Sequence, residues 1–266
     1  MRSMHTVHLA AADDLDGWRD AARALAGAGV PAEQVLWQVG AAPADLFAGP
    51  PLRAQAGPAL RVHKEFMPLA ARVILHRDPQ RFALLYALLL RVMTAPQLVH
   101  DTTDPLRRRV EVLSKTIRRD MHKMRAFVRF RAIETDGAVR YVAWFEPENN
   151  IVRANAAFFA ARFANMDWSI LTPDISVHWD GGRLREGPGA TVAQAAGGDP
   201  LEEVWKSYYR AIFNPARLNR TAMLSEMPKK YWKNLPEAAL IPEMMATARA
   251  REIEMIARSA ADNGAG

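Results

Sequence analysis

An α+β protein is what this sequence predicts, on three observations. Residues 6–39 read as strand, helix, strand; apolar side chains between residues 65 and 124 recur at helical spacings; and from residue 126 the apolar period drops to two. The first pattern implies a small N-terminal α/β module. The second and third imply helices packed on an antiparallel sheet, with a helical segment closing the chain.

The elements follow in order. Thr6 to Ala10 is a short strand, and Asp13 to Gly29 is a helix with Leu15, Trp18, Ala22 and Leu25 on one stripe. Gly29 stops it and Val35 to Val39 is the next strand, so a parallel pair with a right-handed crossover is expected. Gly40 to Pro58 is rich in Pro, Ala and Gly and reads as loop, and Leu60 to His63 as one more short strand. Glu65 to His76 and Pro79 to Met93 read as helices. Asp78 before Pro79 supplies a carboxylate cap and then a residue with no amide to leave unpaired.

Asp104–Pro105 repeats that device. The helix it opens places Leu106, Val110, Leu113, Ile117, Met121 and Met124 three or four apart, a buried stripe. Ala126 to Ile133, an Asp136–Gly137 turn and Val139 to Phe145 form a hairpin, which Pro147 ends. Ile151 to Phe163 is an aromatic-rich helix, Trp168 to Thr172 and Ser176 to Trp179 are strands, and Asp180–Gly181–Gly182 turns into Arg183 to Arg185. Gly187 to Gly198 is a small-residue linker. From Pro200 the chain is helical, broken at Pro215, Pro228, Pro236 and Pro242, and it frays over Ala260 to Gly266. Two domains are expected, a module over 1–64 and an α+β core over 65–260.

Composition narrows the chemistry. The 266 residues include no cysteine, which excludes disulfides, a thiol nucleophile, and zinc or iron–sulfur clusters held by thiolates. No metal site and no cofactor are expected. The best apolar run, Phe82 to Met93, is too short for a membrane span and is interrupted by Arg91; the first eight residues lack a secretory apolar segment. No membrane partner is expected, and the cytoplasm is the expected location.

The net charge of +6 conceals an uneven distribution. Residues 105–131 hold ten Lys/Arg against Glu111 and Asp120, a net of +8, and residues 210–233 hold six against Glu226, a net of +5. The remainder is therefore acidic, at −7. With the apolar stripe of 105–124 buried, Arg108, Lys115, Arg118, Arg119, His122 and Arg125 fall on the outer faces, and Arg129 and Arg131 extend the charge onto one face of the next strand. Arg118 with His122, and Arg119 with Lys123, are four apart and crowd like groups together. Such a row suits phosphates, to which Arg offers bidentate contacts; the plainer alternative is a solvated basic helix. The second segment interleaves Lys229, Lys230 and Lys233 with Tyr231 and Trp232. The lysines would hold phosphates and an aromatic ring would stack on an unpaired base, or the rings would simply anchor the turn to the core.

No strong catalytic motif occurs: no P-loop, no GxGxxG after a strand, no HExxH and no GxSxG. His178 and Asp180, two apart on a strand with Asp174 nearby, could join Glu146 in an acid–base or metal site, but a structural histidine and a turn aspartate before Gly181–Gly182 are the favoured explanation. His122, crowded by cations, would favour its neutral form, as a general base or a hydrogen-bonding reader of DNA requires.

The middle and end of the chain resemble a bacterial family described as "probable DNA metabolism protein", a domain of unknown function. The strings that carry the resemblance are Arg118 to Phe130, Tyr141 to Glu148, Trp168 to Asp174, His178 to Gly181, Ile212 to Arg217 and Met227 to Trp232. The resemblance implies a setting in DNA repair beside a radical S-adenosylmethionine protein. In some members a uracil-DNA glycosylase domain is fused after the region matching this C-terminus; none is expected here. Asn149 and Asn150 stand where fused forms often have His, which argues against an essential histidine there.

The expected function is a DNA-repair accessory protein. It would bind single-stranded or damaged DNA through Lys115 to Arg131 and Lys229 to Lys233 and present it to a radical S-adenosylmethionine or glycosylase partner. The alternatives are a nuclease or lesion hydrolase using His122, Glu146, His178 and Asp180, and a basic docking face for an acidic protein.

Overall fold

The computed structural model describes residues 4–40, 60–135, 138–191, 227–235, 238 and 240. The expected loop beyond Gly40, the Asp136–Gly137 turn, the linker from residue 192 and the C-terminal helices outside 227–240 lie outside the described residues. The fold is α+β, as expected. Among the described residues no helix is long and apolar enough to cross a membrane.

The chain divides into two compact units, Met1–Lys123 with Pro147–Asn155, and Met124–Glu146 with Ala156–Gly266. The first unit runs well past residue 64. One apolar core runs without a break from Val7 and Trp18 through Phe66, Phe82 and Tyr86 to Val110 and Leu113, so the helices after residue 64 pack on the N-terminal module.

In the first unit, β1 (His5–Leu9) and β2 (Val35–Val39) pair in parallel, His5 beside Val35 through Leu9 beside Val39. Between them α1 (Leu15–Gly27) starts where the Asp14 carboxylate accepts the Gly17 N–H at 2.8 Å, and it buries Trp18, Ala22 and Leu25. The chain then turns at Gly29, whose φ of +68° lies in the left-handed region. Leu60 to His63 forms no strand. Instead the His63 carbonyl accepts the Phe66 N–H at 2.9 Å and leads into α2 (Phe66–Val73).

Helix α2 stops short of His76, and α3 (Arg81–Thr94) starts two residues after Pro79. Arg81, 5 % exposed, explains the gap. Its guanidinium donates to the carbonyls of Ile74 (2.9 Å), Asp78 (3.0 Å) and Ala12 (2.7 Å), so carbonyls that a longer helix would use are taken by a side chain. Burial pushes the Arg81 pKa down to about 10. Asp78 still caps a turn, accepting the Gln80 N–H at 2.8 Å.

Helix α4 (Pro105–Phe127) opens as expected: the Asp104 carboxylate accepts the Arg107 N–H at 2.9 Å and pairs with Arg91. Val110, Leu113, Ile117 and Met124 are buried. So is Asp120, at 2 % exposed, whose carboxylate accepts the Asn149 side-chain N–H at 2.9 Å. Asn149 in turn accepts the Arg77 N–H at 3.1 Å, and the Asn150 N–H donates to Leu75 O at 2.8 Å. These bonds make 147–155 part of the first unit.

The second unit holds a five-stranded sheet in chain order: β3 (Arg131–Thr135), β4 (Ala138–Trp144), β5 (Trp168–Leu171), β6 (Ile175–Trp179) and β7 (Leu184–Pro188). It is mixed, not wholly antiparallel. Helix α5 (Val152–Arg162) carries the chain from β4 back to the start of β5, and those two strands run parallel. One face is the core: Ala143, Trp168, Ile170 and Val177 are at most 1 % exposed, and Phe130 packs on Phe159, Phe163 and Trp168.

The expected strand from Ala126 also changes. α4 keeps Ala126 and Phe127, the Val128 N–H still donates to Met124 O at 3.1 Å, and Arg129 donates to Ala126 O at 2.6 Å across the helix end. The strand therefore begins only at Arg131.

Candidate nucleic-acid interface

Helix geometry settles which cations of α4 face outward. Val110, Leu113, Ile117 and Met124 occupy the core stripe, so Lys115, Arg118, Arg119 and His122 at i, i+3, i+4 and i+7 share an exposed face over about 10 Å of helix. Neither acid of the segment interrupts them. Asp120 points into the core, and Glu111 lies upstream, bound to Arg107 at 3.0 Å and Arg118 at 3.1 Å. The N-terminal arginines are engaged: Arg107 donates to Val99 O at 2.7 Å, and Arg109 pairs with Asp78 at 2.6 Å. By contrast, Lys115, Arg119 and His122 have no hydrogen-bond or ion-pair partner among the described residues. Lys123 is half-buried beside them.

Three other expected cations are placed differently. Arg125 belongs to the second unit, where its guanidinium lies 4.6 Å over the Phe158 ring. Arg129 is the helix cap described above and shares no strand face with Arg131, which is half-buried on β3.

Lys229–Asn234 forms a 3₁₀ turn with Lys229 and Lys230 exposed. Tyr231 is not a platform for a base: 2 % exposed, it stacks on Phe127 at 5.2 Å and Phe145 at 5.5 Å. Trp232 is half-buried, donates to Met227 O at 3.0 Å, and packs with Leu235 and Ala238. The Lys233 side chain lies outside the described residues.

Three of the four expected catalytic groups, Glu146, His178 and Asp180, have local partners. His122 is on the exposed face of α4. Glu146 accepts the Trp144 indole N–H at 2.9 Å. Asp180 caps the β6–β7 turn, accepting the N–H groups of Gly182 (3.1 Å) and Arg183 (2.8 Å) and pairing with Arg185 at 2.9 Å. Those backbone bonds hold its carboxyl below the usual range. His178 is half-buried on β6, its Nδ1 2.8 Å from the Ser169 hydroxyl. Burial first, and Arg140 second, lower its pKa, against an opposing pull from Asp167. Among the described residues no cluster of three or more His, Asp or Glu has the arrangement of a metal site.

Sequence reasoning missed Ser169, Arg140 and Arg185, the neighbours of His178 on the sheet. Only strand register reveals them: Ser169 lies beside His178, and His178 beside Arg185. No curated protein and no solved structure matches the chain. Residues 79–237, which take in α3, α4, the five-stranded sheet and the Tyr231 turn, match the family described as a domain of unknown function, DUF4130. That span exceeds half the chain, and the protein belongs to this family.

Proposed function

We propose that this protein is a DNA-binding accessory factor of DNA repair. It engages single-stranded or damaged DNA through α4 and hands it to a partner enzyme, of the radical S-adenosylmethionine or glycosylase kind that the family resemblance implies. One observation carries the binding step: the outward row of Lys115, Arg118, Arg119 and His122, where Asp120 is turned inward and Glu111 meets Arg118 alone of the four. Like charges at helical spacing repel by about 0.2–0.5 kcal/mol per pair. Three of these four groups have no hydrogen-bond or ion-pair partner among the described residues, so phosphates are a fitting external one.

Chemistry on DNA by the protein itself draws less support, because Glu146 and Asp180 are each committed to a local hydrogen bond or turn.

The test is a salt titration of oligonucleotide binding by the wild type and by Arg118→Ala/Arg119→Ala/Lys123→Ala. Losing up to three phosphate contacts on a single strand lowers the log–log salt slope by about 2. Affinity falls at least tenfold at low salt. Equal affinity and equal slope for the two proteins would sink the reading.

A further inference from the structure

The second unit carries its own row of polar groups, straight across the sheet. Register places Arg131 of β3 beside Val142 of β4, Val142 beside Ser169 of β5, Ser169 beside His178 of β6, and His178 beside Arg185 of β7. Side chains paired this way share a face, and it is opposite the one that buries Trp168, Ile170 and Val177. With strands about 4.8 Å apart, the two arginines stand about 19 Å apart at the ends of the row. Arg140, on the same face of β4, is 62 % exposed, and Arg185 is 65 % exposed.

We infer that this row is a seat for a single nucleic-acid strand, with Arg140 and Arg185 on phosphates and the Ser169–His178 pair against a base edge. The inference rests on the DNA-binding reading above and adds a second surface to it.

Two acids lie at the rim. Arg140 meets Asp167 through Nε alone at 3.3 Å, and Arg185 meets Asp180 through one Nη at 2.9 Å. Each guanidinium therefore keeps its remaining N–H groups for a phosphate, and exposed pairs of this kind cost little to loosen.

The middle of the row is built for a flat, hydrogen-bonding guest. Val142 and Ser169 are small. A Cβ on Gly187 would come within 3.0 Å of His178 Nε2, so glycine there makes room for the ring to lie flat against β7. His178 is held neutral, which gives it one donor and one acceptor in place of a further charge. These are the features of a surface that reads bases between phosphate anchors; an acidic peptide would need the cations but not the polar centre.

The experiment compares fluorescein-labelled dT12, an abasic strand of equal length and a 12-base-pair duplex by anisotropy. Arg140→Ala/Arg185→Ala is expected to weaken dT12 binding about tenfold while leaving the duplex nearly unchanged. His178→Gln is expected to weaken dT12 several-fold and leave the abasic strand unaffected. If the alanine pair fails to fold, Arg140→Lys/Arg185→Lys keeps both charges and still loses the bidentate contacts, with a several-fold loss expected.

Wild-type affinity for dT12 in the folded arginine variants overturns the sheet site. The same holds for His178→Gln if dT12 and the abasic strand respond alike. In either case an affinity loss in the Arg118/Arg119/Lys123 variant leaves the general DNA-binding reading standing. A wild type that binds none of the three probes removes both.

Discussion

Arg81 in the first unit and His178 in the second are both polar groups withdrawn from water, and they are treated in opposite ways. Arg81 is surrounded: three carbonyls from three segments take its N–H groups, and its guanidinium lies 4.0 Å over the Phe82 ring. His178 has one hydrogen-bond partner among the described residues, Ser169, and its other nitrogen lies close against Gly187. A buried polar group with its hydrogen bonds complete fixes a fold; one left half-satisfied at an accessible edge has capacity for something else. The same contrast divides the two basic segments. The row on α4 faces outward and, among the described residues, only its Arg118 meets an acid, whereas the Lys229–Asn234 turn has put its tyrosine into the core.

The sharpest break of this contrast comes from Arg81→Met, which keeps the apolar packing and removes the bonds. Three carbonyls lose a charged donor, at about 1.5–3 kcal/mol for each such bond and with partial recovery by water. A loss of at least about 3 kcal/mol is expected in denaturant unfolding. A change below 1 kcal/mol, on the order of an exposed surface substitution, would show that the site is not structural.

Tyr231→Ala comes next, at about 3 kcal/mol for emptying a stacked aromatic site, with DNA affinity per folded molecule unchanged. The opposite pattern, intact stability with about 1–3 kcal/mol of binding lost, would restore the ring as a base-stacking platform.

The smallest effect is one of pH. His76 and His178 both have lowered pKa values: burial is the chief cause in each, Arg81 and Arg109 also press on His76, and Asp78 and Asp120 oppose them there. The unfolded chain therefore binds protons more readily than the native one, and stability falls as pH drops below the ordinary histidine value of 6.5. Denaturation midpoints at pH 7.5 and 5.5 should differ in the wild type, and less so in His76→Gln and His178→Gln. A larger pH response in either variant would reverse the assignment.

How much of this was legible depends on the range over which each feature is encoded. The stripe of α4, its Asp104 cap and both N-terminal strands are local patterns, and they stand close to where the sequence placed them. Asp120 is legible too, although the charge count enters it only as one of the two acids of its segment. It falls three residues after Ile117 and four before Met124, so it lies on the buried stripe itself, and Met121 takes the half-buried place beside it. The face shared by Arg140, Ser169, His178 and Arg185 was not legible. It depends on the registers of three strand pairs, one of them parallel and closed only through α5.

The stacking of Tyr231 on Phe127 and Phe145 also bears on how the chain comes to be folded. Phe127 ends α4, Phe145 follows β4, and their partner arrives only 86 residues after the later of them. During synthesis the two phenylalanines leave the ribosome well before the ring that joins them. The second unit thus completes its aromatic stack late, through contacts of high sequence separation that slow folding. A chain cut short of residue 231 would keep the outward cations of α4 and lose the ring that stacks on the helix's last residue.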